Sequence, residues 1–228
     1  MEAADAAFQA ALQLQPGNTD CLYSDGTALA YLKRDDDAKA RFQEFLKVAS
    51  QNDLDYPRAQ RFAARPELAR ARMGPNFRVT TLDGTTLTLE SLSGKVVLID
   101  FWATWCGPCR EALPHIKKIA SAMRGQPLVV LSISLDKDDA KWKDFVGKNE
   151  MTWLQYRDGG FEGNVAKLFG VTAIPATFTI DADGVLEDQH VGDASIEGKL
   201  KKLVALAADK SKSAPASETA AKAPGGSE

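Results

Sequence analysis

The chain has 228 residues, a formal net charge of -3 and three cysteines. That length allows one large domain, or one of middle size with additions, and a core big enough to hold it. A mildly acidic chain without a long basic stretch gives no reason to expect a nucleic-acid partner. No apolar run is long enough to span a bilayer, and three cysteines are too few for a disulfide framework at this length.

Residues 1–72 are rich in Ala, Arg, Gln and Asp at helical spacing. Helices are expected over 3–14, stopped by Pro16-Gly17-Asn18; over 19–33, with Leu22, Leu29 and Leu32; and over 36–49, where Ala38, Phe42, Phe45 and Leu46 recur on one face. The opening "MEAADAAFQAALQLQPGN" lacks a basic start followed by an apolar stretch, so it does not read as a signal peptide. Cys21 reads as a small apolar residue packed within its helix.

Residues 73–208 alternate β-branched runs with helical patterns. "FRVTTLDGTTLTL" reads as a hairpin turning at Asp83-Gly84, and "KVVLIDFW" as a strand followed by a helix over 109–123. "PLVVLSIS" is a buried strand, 138–149 a helix, and a short strand lies near Trp153. A helical segment over 164–169 precedes a second hairpin, "ATFTIDADGVLEDQHV", which turns at Asp183-Gly184, and a last helix over 195–208. Such an order makes an α/β fold, a mixed sheet with helices on both faces. Residues 209–228 carry almost no apolar side chain larger than Ala, so a disordered tail is expected.

The stretch "WATWCGPCREALP" places Cys106 and Cys109 between a strongly apolar strand and a helix. A structural zinc site commonly takes four Cys or His ligands. His115 and His190 lack the spacing to supply the missing two, so no metal is expected, and His115, alone on its helix, reads as a surface residue. The unpaired N–H groups and partial positive charge of a helix N-terminus stabilise a thiolate, bringing its pKa from about 8.5 toward 7 or lower. Cys106, at the helix mouth, is then the accessible nucleophile. Cys109, one turn in, can attack the mixed disulfide that Cys106 forms, which is thiol–disulfide exchange. Gly107 permits close approach of backbone and substrate. Pro108 presets the first helical turn, and Pro114 should kink the helix.

"VVLIDFWATWCGPCREALP" resembles the active-site segment of thioredoxins, and "GVTAIPATFTIDADG" extends the match. The resemblance implies a thioredoxin-like fold. It puts Ile174-Pro175 at the family's cis-proline position, which faces the disulfide and offers backbone hydrogen bonds to an extended substrate. It also makes Asp100 the buried aspartate that accepts and returns the proton of Cys109, its pKa raised by burial among Leu98, Phe101 and Trp102. The alternative is an aspartate that merely caps the strand end. Trp105 is expected on the substrate-docking surface, with Gly107, Pro108, Ile174 and Pro175. Trp102 is expected to back the disulfide, or simply to fill the core.

Residues 74–208 are similar to the TlpA/ResA-like branch of thioredoxins, in the hairpin before the first core strand and the inserted segment around 138–169. That branch is mostly exported or membrane-anchored, which implies a bacterial periplasmic or other extracytoplasmic location; the absence of a signal peptide leaves the cytoplasm open. The branch often carries a glutamate three residues after the second cysteine. Here that place is Ala112, and Glu111, one residue earlier, should face solvent, so acid–base work falls to Asp100.

The run from Ala11 to Ala49 also resembles a tetratricopeptide repeat, with its A-x3-F pairing at Ala38 and Phe42. About one and a half repeats are covered, as in a fragment of a longer repeat protein; the alternative is a plain helical extension. The expected boundaries are 1–72 for the helical segment and 73–208 for the thioredoxin-like domain.

The expected activity is a protein thiol–disulfide oxidoreductase with no cofactor beyond the Cys106–Cys109 pair. Its expected partners are protein disulfides, an electron-donating thiol protein and a partner peptide on the N-terminal helices. The Gly-Pro dipeptide points to a reductant near about -270 mV. Two other readings are a thiol peroxidase, although Thr104 stands two residues before Cys106 rather than three, and a docking protein with a redox passenger.

Overall fold

The computed structural model describes residues 1–192 and 196–213. Four helices come first: α1 (Glu2–Leu14), α2 (Thr19–Tyr31), α3 (Asp35–Val48) and α4 (Tyr56–Ala64). A 3-10 turn at Pro66–Arg70 leads to a two-stranded hairpin, β1 (Arg78–Thr80) and β2 (Thr86–Thr88). The main unit follows as β3 (Val96–Trp102), α5 (Gly107–Ala122), β4 (Leu128–Ser134), α6 (Asp139–Lys148), β5 (Leu154–Arg157), α7 (Asn164–Leu168), β6 (Ala176–Ile180), β7 (Leu186–Val191) and α8 (Glu197–Ser213).

The sheet order is β5-β4-β3-β6-β7. β3, β4 and β5 run parallel, while β6 and β7 are antiparallel. β3 is central and buried at every position, which is why its sequence is a nearly unbroken apolar run. Its side chains alternate between two cores. Val97, Ile99 and Phe101 join Phe77, Phe169, Phe178 and Trp142 on one face. Val96 and Leu98 pack with Ile116 and Ile119 of α5 and with Leu200 and Val204 of α8 on the other. The mixed sheet, the expected hairpins and the helices on both faces are all present.

The helical segment has its own core, in which each helix packs on the next. Ala38 and Phe42 are fully buried there, and the Phe42 and Phe62 rings lie 5.3 Å apart. Gly26 of α2 is needed for this contact: a Cβ at that position would come within 2.9 Å of the Phe42 ring. Three helices are expected in this segment, and α4 is a fourth. Its signal was Pro57 in the first turn, where a missing N–H costs nothing, ahead of the buried Ala59, Phe62 and Ala63.

α4 also joins the segment to the sheet. Arg58 Nε donates to Glu90 Oε1 at 2.6 Å, and Arg61 Nη2 pairs with Glu90 Oε2 at 2.6 Å. Arg58 also donates to the Gly74 carbonyl and Arg61 to the Asp183 carbonyl, while Arg65 pairs with the Asp183 carboxylate. Glu90 and Asp183 lie near the start of β3 and in the β6–β7 turn, where Gly94 N donates to Ala182 O. The helical segment therefore docks at the end of the sheet where β3 begins.

The last helix departs from expectation. It runs to Ser213, so residues 209–213 are helical rather than part of a disordered tail. Ala207 and Ala208 favour continuation, and Lys210 reaches the Asp183 carboxylate at 2.8 Å. The rest of the expected tail, and the expected helix start at 195, lie outside the described residues.

Removing one partner of a buried ion pair leaves the other charge uncompensated, at a cost of about 3–5 kcal/mol. Glu90→Gln should therefore lower the free energy of unfolding by about 3 kcal/mol in urea. A loss below about 1 kcal/mol would mean that the Arg58–Glu90–Arg61 cluster does not hold the segment.

Candidate active site

Cys106 and Cys109 are joined by a disulfide, with an S–S distance of 2.04 Å. Cys106 is the N-cap of α5, and the Cys109 backbone N–H points at Cys106 Sγ, 3.2 Å away. The sulfur thus takes the place of the side-chain oxygen that usually satisfies a first-turn N–H. Pro108, in that same turn, has no N–H to satisfy. An added Cβ at Gly107 would meet no protein atom within 4 Å, so the space above it is free for a substrate chain. α5 continues through Pro114. Glu111 is exposed, as expected, and His115 Nδ1 lies 3.5 Å from Glu197.

The expected accessibility of Cys106 needs correcting. It is 6% exposed, hardly more than Cys109 at 5%. The Ile174–Pro175 bond is cis, and the Ile174 carbonyl oxygen stands 3.9 Å from Cys106 Sγ, which helps to cover it. Trp105 instead projects outward, 60% exposed. Trp102 is buried in the core cluster that contains both cysteines, with its ring 5.4 Å from that of Phe145.

A groove of about 670 Å³ adjoins the site through Trp105. Its walls include Leu135, Phe161, Lys137 and Lys141. The loop that carries Trp105 is anchored by Asp136: its carboxylate accepts from Thr104 N at 2.9 Å, Thr104 Oγ1 at 2.6 Å and Ser134 Oγ at 2.7 Å. The Thr104 hydroxyl is thereby committed away from the disulfide.

Asp100 follows Leu98 on the face of β3 that α5 covers. In a right-handed β–α–β unit the helix returns antiparallel to its strand. Two residues beyond Leu98 therefore move about 7 Å toward the first turn of α5, where Cys109 sits. Asp100 is 7% exposed. Burial pushes its carboxyl up to about 6, against a smaller opposing effect from the Ser132 hydroxyl, which donates to Oδ2 at 3.0 Å. Phe101, expected beside Asp100, belongs to the opposite face, where its ring meets Phe169 and Phe178.

Ser132, Asp136 and the groove residues other than Thr104 and Trp105 are not among those the sequence singles out. A signal was present in "PLVVLSIS", where two serines alternate within an apolar run. The register pairs Ser132 with Asp100 and Ser134 with Trp102.

The family model described as Redoxin matches residues 68–206. The chain belongs to the redoxin family. A thiol-disulfide oxidoreductase ResA from Bacillus thuringiensis (strain Al Hakam) is 30% identical over 145 residues, 62% of this chain and 83% of that protein. A putative thiol:disulfide interchange protein DsbE from Chlorobium tepidum has a TM-score of 0.53 and 28% identity, covering 60% of this chain and 96% of the other. The C-terminal domain of a putative thiol-disulfide oxidoreductase from Bacteroides thetaiotaomicron has a TM-score of 0.55 and 26% identity, with the same coverage. The chain is a thiol–disulfide oxidoreductase of the TlpA/ResA-like thioredoxin type.

A carboxyl pKa raised on folding opposes stability wherever the group is ionised. Between the ordinary carboxylate range and about 6 the folded state binds more protons than the unfolded one, so this contribution falls as pH rises and then stays level. Asp100→Asn should therefore stabilise the oxidised protein at pH 8 by about 3 kcal/mol, with the gain vanishing as pH falls toward 4. Guanidinium unfolding at the two pH values measures it; a gain equal at both would contradict burial of an ionised Asp100.

Proposed function

We propose that the chain reduces disulfides on protein substrates, with Cys106 attacking, Cys109 resolving and Asp100 handling the proton of Cys109. The Cys106 thiolate attacks one sulfur of the substrate disulfide; a mixed disulfide forms and the other substrate sulfur leaves with the electron pair. Cys109 then gives its proton to Asp100, and its sulfur attacks Cys106. The Cys106–substrate bond breaks, and the second substrate sulfur leaves and is protonated. Two electrons have passed to the substrate, and the enzyme holds the Cys106–Cys109 disulfide.

The observation that carries this reading is the Cys109 N–H directed at Cys106 Sγ at 3.2 Å, which favours charge on that sulfur and distinguishes the two cysteines. An extended substrate would lie over Gly107 and Pro108 and along Ile174–Pro175, with an apolar side chain in the groove beside Trp105. A thiol protein of lower potential would return the enzyme to its reduced state, and the TlpA/ResA likeness favours a place outside the cytoplasm. Among the described residues no helix is long and apolar enough to cross a membrane.

The helical segment, read as repeat-derived, is proposed to hold a partner segment. It docks where β3 begins, whereas the disulfide follows the end of β3, about 20 Å away along seven residues. A partner held there would be tethered near the redox site without touching it.

Two measurements test the proposal together. Titration against glutathione should place the pair near about -270 mV, and a value above about -180 mV, where isomerases lie, would contradict a reductant. With Cys109→Ser, disulfide-linked substrate should accumulate on Cys106 and be released by dithiothreitol. Accumulation on Cys109 in the Cys106→Ser protein instead would reverse the two roles.

A further inference from the structure

The two oxygens of Asp100 are not equivalent. Oδ2 accepts from Ser132 Oγ at 3.0 Å, and Ser132 Oγ accepts from Trp153 Nε1 at 2.8 Å. An indole nitrogen can only donate, so Trp153 fills a lone pair of the serine oxygen. Among the described residues the serine hydrogen has one acceptor, Asp100 Oδ2. The chain therefore runs one way, from Trp153 through Ser132 into Oδ2, while Oδ1 carries no hydrogen bond from the described residues.

Building on the reading of Asp100 as the group that takes the Cys109 proton, we propose that Ser132 and Trp153 are positioning residues for that transfer: they commit Oδ2 and leave Oδ1 to receive the proton and hand it back. In the step itself the Cys109 S–H bond breaks, its electron pair stays on sulfur, and an O–H bond forms at Oδ1. The sulfur then bonds to Cys106 Sγ as the Cys106–substrate bond breaks. The departing substrate sulfur keeps the pair from that bond and takes up the proton from Oδ1.

The surroundings single out this chain as the tuning element. From the sheet, Asp100 faces Ser132 on β4 and Thr177 on β6, its register neighbours. From α5 the titratable group is the Cys109 thiol of the reduced protein. His115 is turned to Glu197 at the start of α8, which Lys118 also pairs with. Burial raises the Asp100 carboxyl and the Ser132 bond lowers it, with no charged side chain among the described residues adding to either. Ser132 is wholly buried in the sheet and tied to the part-buried Trp153.

The test titrates the Asp100 carboxyl carbon by ¹³C NMR in the oxidised protein, where Cys109 does not titrate. A second readout is the pH profile of resolution, followed as release of coloured thiolate from a Cys106–thionitrobenzoate mixed disulfide. Ser132→Ala removes the hydrogen bond to the ionised form and should move the Asp100 midpoint up by about one unit or more, carrying the resolution profile up with it. Trp153→Phe removes the donor that polarises the serine hydroxyl, weakens its bond to the ionised carboxyl and should shift both in the same direction, by less. Midpoints unchanged in both variants would overturn the proposal. Asp100→Asn tests the underlying reading separately. If it abolishes the pH dependence of resolution while Ser132→Ala leaves that dependence in place, the role of Asp100 stands and the positioning chain fails. If Asp100→Asn resolves as the unaltered protein does, the role of Asp100 fails as well.

Discussion

The open N-terminus of α5, set against the Cys106 sulfur, is the contact on which the rest of the redox unit depends. A first-turn N–H needs an acceptor, and here the Cys109 N–H finds a sulfur at 3.2 Å. The parts around it keep that sulfur in place. β3 delivers the chain to the helix start from the middle of the sheet. Asp136 holds Thr104, two residues upstream, by two hydrogen bonds. The Ile174 carbonyl closes over the sulfur from the start of β6. The same N–H that caps the helix favours negative charge on Cys106, so one interaction serves both folding and reactivity.

Asp100 represents the opposite arrangement, a group that the fold tolerates at a cost. A carboxylate with no cationic partner among the described residues, in the layer between β3 and α5, opposes stability once ionised. Its hydrogen bond from Ser132 compensates only in part. A pKa near neutrality is useful for moving a proton at physiological pH, and the burial that brings the carboxyl to about 6 also destabilises the protein. The cluster around Glu90 differs: there two arginines meet one carboxylate, and the group fixes the helical segment to the far end of the sheet.

Much of this was legible in the sequence because it is local. The apolar run of β3, the Asp-Gly hairpin turns and the Cys-Gly-Pro-Cys segment each state their conformation within a few residues. Ala38 and Phe42, one helical turn apart, marked the buried face of α3 correctly. What escaped depended on distant partners. Ser132 acquires meaning only when the register of β4 sets it beside Asp100, and Trp153 only because its indole reaches Ser132. Asp136 matters because Thr104, 32 residues earlier, folds onto it. The Ile174 carbonyl that helps to cover Cys106 comes 68 residues later. α4 was missed because its short, Arg-rich sequence takes its structure from packing on α3 and from the ion pairs to Glu90. Composition alone could not foresee that Lys210 would find Asp183 and extend the last helix past 208.

The central claim is that the helix end makes Cys106 an anion at neutral pH, and the rate of alkylation of the reduced protein against pH measures this most directly. With Cys109 replaced by Ser so that a single sulfur in the site reacts, and Cys21 by Ala to remove the other thiol, iodoacetamide should react with an inflection at about pH 7 or below. An inflection at about 8.5, that of a thiol in an unstructured peptide, would contradict the account.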